Sequence, residues 1–199
     1  MSRIDLHRWQ SAQTAEFGHH QDLRMSAYSI ATKTIGDLLG INYEKDFKDK
    51  VIVEVGAGPR GSLLYTKGNF KRGIVVEPLI DRWPPEIRKD YEDIGVELIV
   101  APYEDLEIDE QVDETWFFNV VQHVLDPTEQ LELAKKTSKV VRVFEGLCQT
   151  TDQAHPWTVS EELFTNVFGD FGKIFKGGTV EGFHSADCYY GTWYASDNV

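Results

Sequence analysis

The chain has 199 residues, of which 41% are hydrophobic and 16 are glycine, so the composition predicts one globular domain and excludes disordered and fibrous proteins. Lys and Arg total 20 against 33 Asp and Glu, and the net charge of −13 argues against a nucleic-acid or anionic-membrane partner. The two cysteines have neither disulfide-framework nor zinc-site spacing, and no apolar stretch is long enough to span a bilayer. We therefore expect a cytoplasmic protein.

The predicted elements alternate between strands and helices after an N-terminal helical arm. The helical pattern of the arm covers residues 8–40. Strands are predicted at residues 51–55, 73–77, 96–100, 115–121 and 140–144, and several are apolar throughout, as strands covered on both faces are. Helices are predicted at 78–94, 127–139 and 160–168, followed by an antiparallel edge hairpin from 173–180 and 187–195. Repeated β-α-β units build a parallel sheet, so we expect an α/β domain at 49–199 and an arm at 1–48.

The acidic residues are concentrated in the middle of the chain. Residues 77–133 contain 17 acidic residues against 3 basic ones. This pattern indicates a solvated acidic face over the middle helices, with a docking surface for a basic partner as the alternative.

The most informative segment joins the first predicted strand to a glycine-rich loop. Residues 51–61 read Val-Ile-Val-Glu-Val-Gly-Ala-Gly-Pro-Arg-Gly, so a buried strand leads directly into a Gly-x-Gly-x-x-Gly pattern. Glycines there let the main chain turn tightly and approach a ligand that a Cβ atom would obstruct. The next strand ends at Glu77, where a carboxylate can accept hydrogen bonds from both ribose hydroxyls of a nucleotide. Together these features predict a nucleotide-type ligand.

Two ligands fit this pattern, and a purely structural turn is a third interpretation. A nicotinamide dinucleotide would place its pyrophosphate at a helix N-terminus, but dehydrogenases usually need a further substrate domain, and only 138 residues follow the loop. The carboxylate of Glu54 is poorly placed beside a pyrophosphate and better suited to the cationic amino-acid tail of S-adenosylmethionine. The residues therefore favour S-adenosylmethionine.

Four motifs, in this order, resemble those of the class I S-adenosylmethionine-dependent methyltransferases. They are the Glu-x-Gly-x-Gly-x-x-Gly run at 54–61, Val-Glu-Pro-Leu at 76–79, Ala-Pro-Tyr-Glu-Asp-Leu at 101–106 and Phe-Asn-Val-Val-Gln-His-Val-Leu-Asp-Pro at 118–127. The resemblance extends from about residue 50 to the C-terminus. It implies a Rossmann-like three-layer α/β sandwich with seven strands, six parallel and one antiparallel. It also implies S-adenosylmethionine as cofactor and S-adenosylhomocysteine as product.

The resemblance further implies a set of cofactor-binding residues, which are Glu54, Gly56, Gly58, Asn119, Glu77, Tyr103 and Glu104. The first three would surround the methionine part, and Asn119 would lie near it or near the sulfonium, with a plain helix cap as the alternative. Glu77 would bind the ribose hydroxyls, and the last two would border the adenine. Many relatives carry an acid where this chain has Pro102, so the adenine contact would rest on the main chain or on Glu104.

The arm carries a second, shorter resemblance. Trp9-x-x-Ala12-Gln13-x-x-Glu16-Phe17 is similar to the opening of some small-molecule and saccharide methyltransferases, in which the arm helps to close the pocket. A helix that merely packs on the domain is the alternative. Residues 119–122 lack the Asn/Asp-Pro-Pro-aromatic signature of enzymes that methylate nucleic-acid bases, which agrees with the negative charge in disfavouring such substrates.

Three histidines are candidates for catalysis. The methyl group of a sulfonium is already activated, so the protein must mainly hold the acceptor in line at about 3–3.5 Å and exclude water. A hydroxyl acceptor also needs a base, and His123 is the first candidate because it follows the fourth strand on the ligand-binding side of the sheet, with helix packing as the alternative. His20 and His155 come next, and Trp157, near His155, could stack on a flat acceptor. No group of residues has metal-site spacing, so we expect no metal.

We therefore predict a methyltransferase that acts on a small molecule, with an oxygen of a saccharide or metabolite as the favoured acceptor. The alternative is a module that keeps the cofactor fold, has no turnover and acts by binding a partner. We expect neither nucleic acid nor membrane as a partner.

Overall fold

The computed structural model describes residues 3–22, 25–147, 150–176 and 187–195, with backbone alone at 19–22 and 25–28. Its strands are β1 (Val51–Val55), β2 (Arg72–Val76), β3 (Val96–Ile99), β4 (Val112–Phe118), β5 (Ser138–Gly146), β6 (Gly172–Phe175) and β7 (Cys188–Tyr194). Its α-helices are α1 (Leu6–Asp22), α2 (Met25–Leu39), α3 (Pro85–Asp93), α4 (Pro127–Thr137) and α5 (Glu161–Phe168).

The seven strands form one sheet in the order β3-β2-β1-β4-β5-β7-β6. The five strands β1 to β5 run parallel, and β7 runs antiparallel to its neighbours β5 and β6. Six strands therefore share one direction and one opposes them. This confirms the predicted Rossmann-like, mostly parallel sheet with an antiparallel hairpin at its edge. The predicted hairpin loop falls on residues 177–186, which lie outside the described residues.

Helices cover the sheet on both faces, which explains why its central strands are apolar throughout. One face packs against α4 and α5 through a core that includes Leu131 and Phe164. The opposite face packs against α3 and includes Tyr91 and Trp116. All five residues of β1 are buried, as expected for a strand between two helical layers.

The fourth strand ends earlier than the sequence predicts. The apolar run continues to Val121, but the strand stops at Phe118 because Asn119 adopts a left-handed conformation with φ 60°. The Asn119 N–H donates to the Phe144 carbonyl at 2.7 Å and fixes this turn beside β5. Residues Val121–His123 then form a short 3₁₀ turn that is itself buried. The apolar residues after 118 therefore belong to a buried turn rather than to a strand.

The predicted helical arm consists of α1 and α2. Ala31 and Ile35 of α2 form a small core with Phe144 and Cys188, the end of β5 and the start of β7. The arm therefore packs over the carboxyl end of the sheet. Among the described residues, no helix is both long and apolar enough to cross a membrane.

Candidate functional site

A cleft lies at the carboxyl ends of β1, β2 and β4. From β1 the strand order runs to β2 and β3 on one side and to β4 and β5 on the other, and ligands of open α/β folds bind at such a switch point. Seven of the predicted site residues line this cleft: Glu54, Gly56, Gly58, Glu77, Tyr103, Asn119 and His123. Both arm helices also line it, through residues that include Trp9, Gln13 and Glu16 of α1 and Thr32 of α2.

The glycine loop brings bare main chain to the cleft wall. Gly56 and Gly58 have φ values of 60° and 59°, which residues with a Cβ atom rarely adopt. A Cβ at Gly56 would also lie 2.0 Å from Cγ2 of Val120, which belongs to the turn that follows β4. The Gly56 N–H donates to the Val76 carbonyl at 2.9 Å, which ties the loop to β2.

The segment after the glycine loop is not an α-helix. Residues Gly58–Arg60 and Ser62–Thr66 form two short 3₁₀ turns. A dinucleotide pyrophosphate is usually held at the N-terminus of a long helix, where several free N–H groups and the helix dipole act together. This geometry removes the main support for the dinucleotide interpretation.

Glu54 supports the loop from beneath. Its side chain is buried, and its two carboxylate oxygens accept the N–H groups of Ser62 at 2.6 Å and Leu63 at 2.8 Å. Burial raises the pKa of Glu54 to about 7, although these two hydrogen bonds act in the opposite direction. Because the same carboxyl group lies on the cleft wall, Glu54 both shapes the loop and, in its ionised form, contributes negative charge to the site.

Glu77 connects the glycine loop to the segment that follows β2. One carboxylate oxygen accepts the Gly58 N–H at 3.3 Å, and the other accepts the Leu79 N–H at 2.9 Å. The residue is 5% exposed and lines the cleft. The carboxylate is therefore held in place by main chain on two sides, next to the bare backbone of Gly58.

The two residues predicted to border the adenine lie in different environments. Tyr103 lines the cleft and packs edge-on against Phe117, with 5.7 Å between ring centroids. Glu104 instead accepts hydrogen bonds from the Gln130 side chain at 2.7 Å and from the Asp126 N–H at 3.3 Å. Glu104 is thus turned towards the start of α4, and Gln130, which the sequence analysis missed, stands on the cleft wall.

A buried carboxylate positions the turn after β4. One oxygen of Glu145, at the end of β5, accepts the N–H groups of Val120 at 2.8 Å and Val121 at 2.9 Å. Glu145 is fully buried, and burial raises its pKa to about 8. The cap of α4 is Asp126, and Asn119 makes no capping bond to that helix, so the helix-cap alternative for Asn119 is not supported.

The histidine wall, formed by His123 and His155 with Glu16, lies where the arm meets the domain. His123 is buried, lines the cleft and packs its ring 4.7 Å from the ring of His155. Nδ1 of His123 lies 3.1 Å from the Ala154 carbonyl and 3.8 Å from a Glu16 carboxylate oxygen. His155 does not itself line the cleft, and the His20 side chain lies outside the described residues.

The arm is fastened to the histidine wall through main chain. The side-chain N–H groups of Trp9 and Gln13 both donate to the His123 carbonyl at 3.0 Å. The Arg82 guanidinium, after β2, lies 4.0 Å from the ring centroid of Phe17 on α1. Trp157 is half-buried and donates to the Val124 carbonyl at 2.8 Å, so it supports this region from outside the cleft.

Comparison with known proteins identifies the fold. No protein-family model and no curated protein sequence matches the chain. Burkholderia thailandensis 1,6-didemethyltoxoflavin-N1-methyltransferase, solved with 1,6-didemethyltoxoflavin and S-adenosylhomocysteine, has a TM-score of 0.63 and 15% identity over 98% of this chain and 95% of that one. The N-terminal domain of EvdMO1, solved with S-adenosylhomocysteine and D-fucose, has a TM-score of 0.58 and 15% identity over 87% and 84%. Haemonchus contortus phosphoethanolamine N-methyltransferase 1 has a TM-score of 0.67 and 10% identity over 96% and 50%.

At these identities the likeness establishes the fold. The chain has the Rossmann-like fold of the class I S-adenosylmethionine-dependent methyltransferases, as its four motifs predict.

Proposed function

We propose that this protein binds S-adenosylmethionine in the cleft and methylates a small-molecule acceptor, releasing S-adenosylhomocysteine. The observation that carries the proposal is the pairing of the glycine loop with Glu77. Bare main chain at Gly56 and Gly58 lies beside a buried carboxylate that is fixed by two N–H groups. Main chain without a Cβ atom admits a closely packed ligand, and a fixed carboxylate suits two vicinal hydroxyls of a ribose.

The charges of the cleft support the same ligand. Glu54 and Glu77 place two carboxyl groups within one wall, and their ionised forms would repel a pyrophosphate and attract a cationic amino-acid tail. The three neighbours of the same fold described above were all solved with S-adenosylhomocysteine, which agrees with this assignment. In the proposal, Tyr103 and the main chain of Pro102 border the adenine, and Asn119 lies near the methionine part.

We propose different roles for the N-terminal arm and for the rest of the chain. Residues 49–199 hold the cofactor, and residues 1–48 form an arm that closes the acceptor side. The bonds from Trp9 and Gln13 to the His123 carbonyl and the Arg82–Phe17 contact support an arm that is docked on the domain. Docking of this kind excludes water and limits the acceptor to a small molecule.

The bound cofactor supplies a methyl group that is already activated on a sulfonium. The protein then has to orient the acceptor, for which an oxygen of a saccharide or metabolite is the proposed class. His123 is the proposed acceptor-facing residue because it is buried and lines the same cleft as Asn119. His155 supports it from behind through the ring contact.

Isothermal titration calorimetry with S-adenosylhomocysteine tests the proposal on three proteins. The wild type should bind, and Glu77→Gln should bind about 10- to 150-fold more weakly, because a hydrogen bond to a charged acceptor contributes about 1.5–3 kcal/mol. Glu97→Gln is the matched control, since Glu97 lies on the adjacent strand and pairs with Arg72 outside the cleft. Absence of binding by the folded wild type, or equal affinity in the wild type and Glu77→Gln, would reject the proposal.

A further inference from the structure

We propose that Glu16, His123 and His155 form a binding site for a divalent transition-metal ion at the wall of the cleft. One carboxylate oxygen of Glu16 and one ring nitrogen of each histidine lie within 4.8 Å of one another. The three residues come from α1, from the turn after β4 and from the loop after β5. This dispersal explains why ligand spacing in the sequence predicts no metal.

The surroundings of both histidines resemble those of metal ligands. Nδ1 of His155 lies 2.8 Å from an Asp152 carboxylate oxygen, and Nδ1 of His123 lies 3.1 Å from the Ala154 carbonyl. A carbonyl and a carboxylate only accept, so each Nδ1 donates its hydrogen there and the two Nε2 atoms are the proposed ligand atoms, although Nδ1 of His123 is the nitrogen that lies 3.8 Å from the Glu16 carboxylate. Metal-binding histidines almost always donate their other N–H to a carboxylate or a backbone carbonyl, which fixes the tautomer and the ring orientation.

The loop that carries His155 is held in place by the same carboxylate. The second oxygen of Asp152 accepts the N–H groups of Ala154 and His155, each at 2.8 Å. The guanidinium of Arg8, on α1, donates to the carbonyls of Asp152 and Gln153 at 2.5 and 2.8 Å. The arm and the loop therefore meet at fixed positions, which is the preorganisation that a three-ligand site requires.

The donor set selects the class of ion. Two imidazole nitrogens and one carboxylate suit Zn²⁺ and other first-row transition metals, whereas Mg²⁺ and Ca²⁺ prefer oxygen ligands alone. Ligands about 2.0–2.2 Å from a tetrahedral ion lie about 3.4 Å apart, so donor atoms up to 4.8 Å apart would have to close by up to about 1.4 Å.

An ion at this position would leave at least one coordination place for a further ligand. Glu16 and His123 both line the cleft, so that place faces the proposed acceptor side. The inferred acceptor then carries an oxygen donor, such as a hydroxyl, phenolate or carboxylate group. This last step rests on the proposed function, whereas the metal site itself does not.

Zinc titration of the full chain, freed of any affinity tag, tests the inference by calorimetry or by competition with a chromophoric chelator. We expect one equivalent of Zn²⁺ to bind and excess Mg²⁺ not to displace it. Glu16→Gln and His155→Ala should each weaken binding at least tenfold, and Asp152→Asn should weaken it about 10–100-fold through the outer contact alone. His7→Ala changes an exposed histidine on the same helix and should leave the affinity unchanged.

Two outcomes would overturn the inference: no zinc binding by the folded wild type, or zinc binding that survives both Glu16→Gln and His155→Ala. Titration of S-adenosylhomocysteine into the same proteins separates this result from the proposed function. Binding of S-adenosylhomocysteine without zinc binding rejects the metal site alone, and zinc binding without S-adenosylhomocysteine rejects the cofactor alone.

Discussion

Replacement of Gly56 by alanine tests how the glycine loop and the turn after β4 fit together. Gly56 has φ 60°, and an added Cβ would lie 2.0 Å from Cγ2 and 3.0 Å from Cβ of Val120. Val120 has little room to retreat, because its own N–H is held by the buried Glu145 carboxylate at 2.8 Å. Gly56→Ala therefore combines backbone strain with a steric clash.

The two contributions have different magnitudes. A left-handed backbone costs a non-glycine residue about 1–2 kcal/mol. Overpacking in a well-packed region adds about 1–3 kcal/mol. We expect Gly56→Ala to lower the free energy of unfolding by about 2–5 kcal/mol, and also to weaken binding of S-adenosylhomocysteine because Val120, which the new Cβ displaces, lines the cleft.

Gly40→Ala is the matched control. Gly40 has a similar φ of 66°, but a Cβ there meets no atom within 4 Å. Both variants then have the same backbone strain and the same loss of unfolded-state entropy. The difference between their free energies of unfolding therefore measures the contact with Val120. Urea unfolding followed by tryptophan fluorescence should give Gly56→Ala the greater loss by about 1–3 kcal/mol. Losses that agree within about 0.5 kcal/mol would refute this description of the loop.

Three further changes probe the core, the buried acid and the arm. Glu114→Gln should lower the free energy of unfolding by about 3–5 kcal/mol, because Arg142, which is 12% exposed and 2.6 Å from Glu114, loses its buried counter-charge. A loss below about 1 kcal/mol in urea unfolding would contradict this. Glu145 has a pKa of about 8, above its ordinary value, so the folded state holds a proton that the unfolded state releases. The free energy of unfolding should therefore fall as the pH rises from about 4.5 to 8, and it should depend less on pH in Glu145→Gln. If the free energy of unfolding of Glu145→Gln falls with pH as steeply as that of the wild type, the raised pKa of Glu145 is contradicted. Trp9→Phe removes one hydrogen bond to the His123 carbonyl and should lower the free energy of unfolding by about 0.5–1.5 kcal/mol. An unchanged free energy of unfolding would mean that this hydrogen bond does not hold the arm.

The local parts of the fold could be predicted from the sequence. The strand at 51–55 has the bounds that its apolar run predicts, and Gly56 and Gly58 after it have left-handed conformations that favour glycine. Seven of the ten predicted site residues line one cleft. These predictions depend on neighbouring residues, whose geometry is largely set by backbone sterics and by burial on two faces.

Features that depend on distant contacts were not predictable in the same way. The end of β4 is set by the left-handed turn at Asn119 and its bond to Phe144, and an apolar run that continues to Val121 conceals it. Glu104 follows the expected motif but is turned away by Gln130, a residue 26 positions later. The spacing of Trp9, Gln13 and Glu16 on one helical face was the available signal that all three reach the cleft.

A crystal structure of the chain with S-adenosylhomocysteine is the most direct test of the central claim. We expect the ribose hydroxyls within hydrogen-bond distance of Glu77 and the homocysteine part against the main chain of Gly56 and Gly58. A ligand bound elsewhere, or a ribose out of reach of Glu77, would contradict it.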